Sequence, residues 1–181
     1  MGHGLLAGMN RTTATTEPVP AALGRTFPTL MAASLSGRVV TLPDDAKGDA
    51  SLVVLVFLEP GLPAAESWSG PFTGAFTGTP RVTTYLVTVV GDSLIGRSLA
   101  DRIHQGLRGG VSPENYNLVL TVPGDIERCR RAYGIDETSL AYIYLLDERG
   151  IIRWMEKGIA TPEGLGTLLD AAQTMLEPLQ E

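Results

Sequence analysis

Few side chains in this sequence have the type and spacing to do chemistry. The one thiol is Cys129, in "IERCRRAYG", beside Arg128, Arg130 and Arg131. Neighbouring positive charge favours a thiolate, the form of cysteine that attacks peroxides and disulfides. No second cysteine exists to resolve a mixed disulfide, and Cys129 falls in a short helical stretch well down the chain, where a lone thiol reads as a small hydrophobe. The two histidines, His3 and His104, form no metal-ligand spacing with one thiol. His104 follows the apolar Ile103 and reads as a surface or boundary residue. The adjacent carboxylates Asp44 and Asp45 lie in "LPDDAKGD", a Pro- and Gly-flanked turn that predicts a solvated loop rather than an acid–base pair. "GVSPENYN" is no nucleophile elbow, and no phosphate-cradling G-x-x-x-x-G-K-[ST] loop occurs. These residues assign no catalytic group, no metal site and no cofactor.

The most informative stretch is "LVVLVFLEPGLPAAESW", Leu52 to Trp68. It reads as a buried strand, a turn and the start of a helix, the layout that resembles the thioredoxin-like redox proteins. Those proteins place a C-x-x-C pair at the helix mouth, where the helix N-terminus lowers the thiol pKa. Here the four positions hold Leu62, Pro63, Ala64 and Ala65. The single cysteine that peroxide-reducing relatives carry at that mouth is also missing. So is the proline that faces the redox pair from the start of the last hairpin; counting back from Asp147, its place is Ala141.

The elements around this stretch alternate. "MAASLSGRVVTLP" predicts a hairpin turning at Ser36-Gly37. "SLVVLVFL" is apolar nearly throughout, as a strand buried on both faces must be. A helix follows from Pro63, with Gly70-Pro71 expected to disturb it before Phe76. "RVTTYLVTVV" predicts a strand. Ile95, Leu99, Ile103 and Leu107 share one face of a helix that starts at Asp92 or Ser93 and stops at Gly109-Gly110. "YNLVLTV" predicts a further strand, and "GDIERCRRAYG" a short helix closed by Gly134. "LAYIYLLDERGIIRWME" predicts a hairpin turning at Asp147–Gly150. Thr161 caps a closing helix with Pro162 in its first position and an apolar stripe of Leu165, Leu168, Leu169, Ala172 and Leu176. The expected class is α/β: a thioredoxin-like mixed sheet with helices on both faces, plus an N-terminal hairpin and an extended tail. Residues 1–25 are expected to be a flexible or partner-bound tail, and 26–181 the domain.

Composition bounds the partners. The 181 residues carry a net charge of −6, 44% hydrophobic and 19% charged residues, values of a globular chain. An acidic balance argues against nucleic acid. The longest apolar run, Leu52–Leu58, is far short of the roughly 20 residues that cross a bilayer, so the chain is expected to be peripheral to a membrane at most. The Thr- and Gly-rich start, with Arg11 ahead of its first acid at Glu17, is compatible with the remnant of a mitochondrial transit peptide and equally with a flexible tail.

Two stretches carry a more specific resemblance. The first is "SLSGRVVTLPDDAKGDASLVVLVF" followed by "ESWSGPF", with Ser67, Trp68, Pro71 and Phe72. The second is "AYIYLLDERGIIRWMEKGIATPEGLGTLL", with Tyr142, Leu145, Leu146, Asp147, Ile152, Arg153, Trp154, Gly158, Ala160, Thr161 and Glu163. Together they resemble the mitochondrial ATPase-complex assembly factors of the "subunit ten" type, over about Phe27 to Met175. Ala141 stands where that family often has Gly, and Thr73–Pro113 matches poorly. The resemblance implies a peroxiredoxin-like fold without enzymatic activity. It implies a chaperone for subunit a of the F-type ATP synthase, on the matrix side of the inner mitochondrial membrane. Another subunit of that complex could be the client in place of subunit a; a permanent accessory subunit of a mitochondrial complex such as the ATP synthase is the first alternative, and a one-cysteine thiol peroxidase or reductase using Cys129 the second. A chaperone of this kind needs apolar surface. The candidates are Leu62, Pro63, Trp68 and Phe72 around the helix mouth; packing of the two aromatics onto the sheet is the competing expectation. In "IRW", neighbours face opposite sides of a strand, so Trp154 is expected beneath the last helix and Arg153 at the surface as a further partner contact.

Overall fold

The computed structural model describes residues 20–57, 61–91, 105–106 and 109–177. The first 19 residues of the expected tail, His104 and nearly all of the helix expected to begin at Asp92 lie outside the described residues.

Strands β1 (Leu30–Ser34) and β2 (Val39–Leu42) form the N-terminal hairpin. Gly37 turns it with φ 86°, donating its N–H to the Ser34 carbonyl at 2.9 Å, a left-handed conformation that costs glycine least. Strand β3 (Ala50–Val56) is buried at every position, as its unbroken apolar run requires. Helix α1 (Leu62–Ala75) and strand β4 (Val82–Gly91) follow. A 3₁₀ turn (Pro113–Leu118) leads into β5 (Val119–Gly124), and α2 (Ile126–Tyr133) ends at Gly134, whose φ is 67°. The hairpin of β6 (Tyr142–Asp147) and β7 (Ile152–Lys157) precedes α3 (Pro162–Leu176). The Thr161 hydroxyl caps α3, accepting the Gly164 N–H at 3.0 Å.

The seven strands form one sheet in the order β2-β1-β5-β4-β3-β6-β7. Strands β3, β4 and β5 run parallel; β1 pairs antiparallel with both β2 and β5, and β6 with both β3 and β7. Alternate residues of β3 feed two cores. Val53 and Leu55 pack with Phe27, Tyr133 and Tyr144 on the face that α2 covers. Leu52, Val54 and Val56 pack with Trp68, Phe72 and Leu168 beneath α1 and α3. This is the mixed sheet with helices on both faces that the alternation of elements predicts. Residues 20–25 are tied to it: Ala21 N–H donates to Ala132, Gly24 N–H to Ile152, and Ile152 N–H to Arg25.

Two local expectations fail for physical reasons. Helix α1 runs through Gly70-Pro71 to Ala75. Pro71 forgoes a hydrogen bond to the Ser67 carbonyl, but Trp68 and Phe72, four apart and both buried, clamp the helix on either side of it. Burying two aromatics outweighs a proline penalty of about 3 kcal/mol. Tyr116–Leu118 belong to the 3₁₀ turn rather than to β5, because Pro113 sets the first φ of a turn and its ring favours helical closure of the residues after it.

Candidate functional site

Three loops meet at the mouth of α1. Gly61 precedes the helix and is packed so closely that an added Cβ would lie 3.1 Å from a Val56 methyl and 3.6 Å from the Leu140 carbonyl. The segment leading into β6 supplies Leu140 and the fully buried Ala141. The loop after β7 is fastened to Ala141 by the Gly158 N–H, which donates to its carbonyl at 2.8 Å. Ser67 joins this loop to α1: its Oγ donates to the Ala64 carbonyl at 2.6 Å and accepts the Ala160 N–H at 2.9 Å. Trp68 makes the second tie, its Nε1–H donating to the Gly158 carbonyl at 2.8 Å. Gly158 adopts φ 87°, which frees that carbonyl to face the indole.

The structure divides the residues that the sequence offers as partner contacts. Pro63 is exposed and Leu62 half-buried at the mouth. Trp68 and Phe72 are covered by the chain itself, at 1% and 0% exposure, which corrects the expectation that they present an aromatic docking surface. Trp68 stands edge-on to Trp154, ring centroids 5.4 Å apart. The Gly164 backbone also presses on it, so that a Cβ there would sit 2.8 Å from the ring. Phe72 meets Phe76 at a tilt of 52°, ring centroids 4.9 Å apart. The two aromatics hold the helix in place from beneath.

Arg153 and Trp154 are separated by a register shift. Leu145 pairs with Trp154 and Leu146 with Ile152, so Arg153 is the extra residue of a β-bulge. The bulge lets Ile152 enter one core and Trp154 the other, which strict alternation would forbid. Trp154 reaches α3, its Nε1–H donating to Thr167 Oγ1 at 3.2 Å. Arg153 lies exposed over Asp147, donating through Nε to Oδ2 at 2.7 Å. Burial works to raise the Asp147 carboxyl, but the Ile151 N–H, the Arg153 guanidinium and the Arg149 N–H together hold it below its ordinary range. Where β6 begins and β7 ends, Asp136 is held down to about 2 by the Lys157 ammonium and the Tyr142 hydroxyl.

Cys129 is half-buried against the α2-side core. Burial and the Asp125 carboxylate raise its thiol above the ordinary value, and Arg128 offsets this only in part. The expectation that neighbouring arginines favour a thiolate is thereby corrected: Arg130 is turned away, pairing with Glu127 at 2.9 Å. Among the described residues no group of His, Cys, Asp and Glu could hold a metal, and no helix is long and apolar enough to cross a membrane. A groove of about 660 Å³, lined by Phe72, Phe76, Val82, Leu86 and Leu118 among others, lies between α1 and β4, away from the mouth.

Sequence reasoning missed two features of the site. Ile159, in the loop after β7, is 67% exposed between Gly158 and Ala160, the two residues that Trp68 and Ser67 fasten to α1. Gly164 matters through its contact with Trp68. A glycine in the first turn of a helix, with a tryptophan far upstream, was the available signal.

The sheet order and helix placement define a thioredoxin-like domain whose helix mouth carries no sulfur. Solved structures agree on the fold. A thiol-disulfide oxidoreductase thioredoxin domain from Bacteroides vulgatus is 18% identical with TM-score 0.54, over 82% of this chain and 96% of that one. A peroxiredoxin-like protein from Aquifex aeolicus is 13% identical with TM-score 0.54, over 87% and 89%. BsSco, a member of the Sco family of cytochrome c oxidase assembly proteins, is 11% identical with TM-score 0.57, over 88% and 99%. No curated protein matches the chain. The ATP10 protein family matches residues 13–175, and the chain belongs to that family, which is associated with assembly of the ATP synthase.

Proposed function

We propose that this protein is a non-catalytic assembly factor that binds a membrane subunit of the mitochondrial F-type ATP synthase, subunit a being the favoured client. It acts from the matrix side of the inner membrane without spanning it. The observation that carries the reading is the family match over residues 13–175 combined with a helix mouth of Leu62, Pro63, Ala64 and Ala65. A site built for thiol exchange needs sulfur there; one that covers another polypeptide needs apolar surface. Leu62 and Pro63 are the proposed contacts, with Trp68 and Phe72 supporting them from beneath. Arg153, about 13 Å along β7 from Lys157 at the strand's usual rise, offers a second and polar contact. The raised Cys129 thiol gives no support to a peroxidase reading.

The test is affinity purification in mild detergent. Sub-stoichiometric capture of newly made subunit a, absent from the mature complex, is the expected result. Equal stoichiometry with the mature ATP synthase would make the protein an accessory subunit instead. Peroxide or disulfide turnover lost in Cys129→Ser would overturn the non-catalytic reading.

A further inference from the structure

Tyr142 and Lys157 stand opposite each other in the register of β6 and β7, so their side chains share one face of the sheet. Asp136, in the turn before β6, joins the two. Its Oδ2 accepts the Lys157 ammonium at 2.5 Å, and its Oδ1 accepts the Tyr142 hydroxyl. The same hydroxyl oxygen accepts the backbone N–H of Asp136 at 3.2 Å and that of Glu137 at 2.9 Å. Two amides of the turn therefore end on a strand side chain rather than on a backbone carbonyl. Glu137 adds a local tie by accepting the Ser139 hydroxyl at 2.7 Å. Asp136 in turn raises the Lys157 ammonium above its ordinary value, so the pair stays charged at neutral pH.

This hub is one residue away, along the chain, from two ties of the helix mouth. Tyr142 follows Ala141, whose carbonyl accepts the Gly158 N–H at 2.8 Å. Lys157 precedes Gly158, whose carbonyl accepts the Trp68 indole N–H, also at 2.8 Å. Ala160, two residues on, donates its N–H to Ser67. An ion pair between exposed groups adds little to global stability, and Asp136 and Lys157 are both exposed. What this pair constrains is the turn that leads to Leu140 relative to the strand end that leads to Gly158. A comparable pair, Arg81 with Asp49 at 2.6 Å, closes the opposite end of the sheet, where β3 and β4 begin.

We infer that Asp136, Tyr142 and Lys157 are positioning residues for the partner site at Leu62 and Pro63, holding the segment before β6 and the loop after β7 in the one arrangement in which the mouth binds. This rests on the assembly reading above and adds how that site is kept ordered. A surface ordered in advance gives up less conformational freedom on association. Loosening the two loops therefore weakens binding without unfolding the domain.

The experiment uses the full chain and the variants Asp136→Asn, Lys157→Met and Tyr142→Phe. Lys157→Arg restores the charge, and Asp49→Asn is the control at the other end of the sheet. Backbone hydrogen exchange is read at Gly158 and Ala160, whose N–H groups bond to Ala141 and Ser67 and not to the hub. Capture of newly made subunit a in mild detergent reads binding. In the first three variants exchange at both amides is expected to quicken about tenfold, and capture to fall about five- to tenfold. Lys157→Arg should recover both, and Asp49→Asn should change neither. Asp136→Asn and Lys157→Met should melt within about 3 °C of the parent, which separates loosened loops from a damaged fold.

Unchanged exchange at Gly158 and Ala160, or quickened exchange with undiminished capture, would overturn the inference. So would an equal loss of capture in Asp49→Asn, no recovery in Lys157→Arg, or a large drop in melting temperature in both exposed variants. In each of these cases a parent that captures subunit a leaves the assembly role standing. A parent that captures none takes both readings down.

Discussion

Replacing Trp68 by Phe tests whether the aromatic at the helix mouth supports the site from within. Phe fills most of the indole's slot but has no N–H, so the Gly158 carbonyl loses the donor it has at 2.8 Å. In a partly buried setting that loss costs about 1–2 kcal/mol. The edge-on contact with Trp154, at 5.4 Å and 60°, is weakened as well; such pairs are worth about 0.5–1.5 kcal/mol. The expected destabilisation is about 2–3 kcal/mol, below the roughly 3–5 kcal/mol of complete truncation to Ala. For a chain of 181 residues this lowers Tm by about 4–12 °C. Thermal melting followed by circular dichroism measures it directly. Because the chain has only two tryptophans, Trp154→Phe leaves Trp68 as the sole emitter, and its fluorescence should be blue-shifted and poorly quenched by acrylamide. A Trp68→Phe variant within about 0.5 kcal/mol of the parent, together with free quenching of Trp68, would refute the argument and return the residue to the surface.

Three further outcomes are expected. Stability should fall as the pH drops from about 4 towards 2, because folding lowers the carboxyl pKa of Asp136, from 3.8 to about 2, and that of Asp147, so the unfolded chain takes up the proton first; acid titration of Asp136→Asn and Asp147→Asn should show a flatter acid limb than the parent. Gly150→Ala should cost about 2–4 kcal/mol in urea denaturation, since φ there is 74° and the new methyl would lie 2.6 Å from Pro43 Cβ. Cys129 should react with a maleimide at pH 7.5 several-fold more slowly than free cysteine, because burial and Asp125 hold its thiol protonated; a rate equal to or above that of the free thiol would contradict the geometry.

How far the sequence could be read depended on the range of the forces involved. The hairpin at Gly37, the apolar strand Ala50–Val56 and the Thr161-Pro162 start of α3 were legible because each is set by neighbours in sequence: a turn residue, an unbroken run, a cap. Pro71 misled for the opposite reason. Its local effect is unfavourable, and the residues that overcome it, Trp68 and Phe72, act through a core assembled from β3, β6 and α3. Packing of Trp68 onto the sheet was one of the two readings its sequence allowed, but what decides it lies far off, a carbonyl 90 residues away and a glycine 96 residues away. In "IRW" the sides taken by Arg153 and Trp154 were anticipated, but the bulge that permits Ile152 and Trp154 to enter different cores leaves no mark in an alternation pattern.

The two stretches that carry the family resemblance are far apart in the chain and become one structural unit at the mouth of α1. Ser67 and Trp68 come from the first; Gly158, Ala160, the Thr161 cap and Gly164 come from the second and receive them. A dithiol enzyme needs such fastening to fix the distance between sulfurs. With Leu62 and Ala65 at those positions, the fastening has no sulfur to align, yet each tie is in place, including a hydrogen bond that only an indole or another long donor could make. Rigid loops lower the ordering cost that association must overcome. A surface as small as Leu62 and Pro63 gains little apolar contact, so it can hold a partner only if that cost is already low. A socket fastened in this way around Leu62 and Ala65 is therefore what the proposed binding role at this position requires.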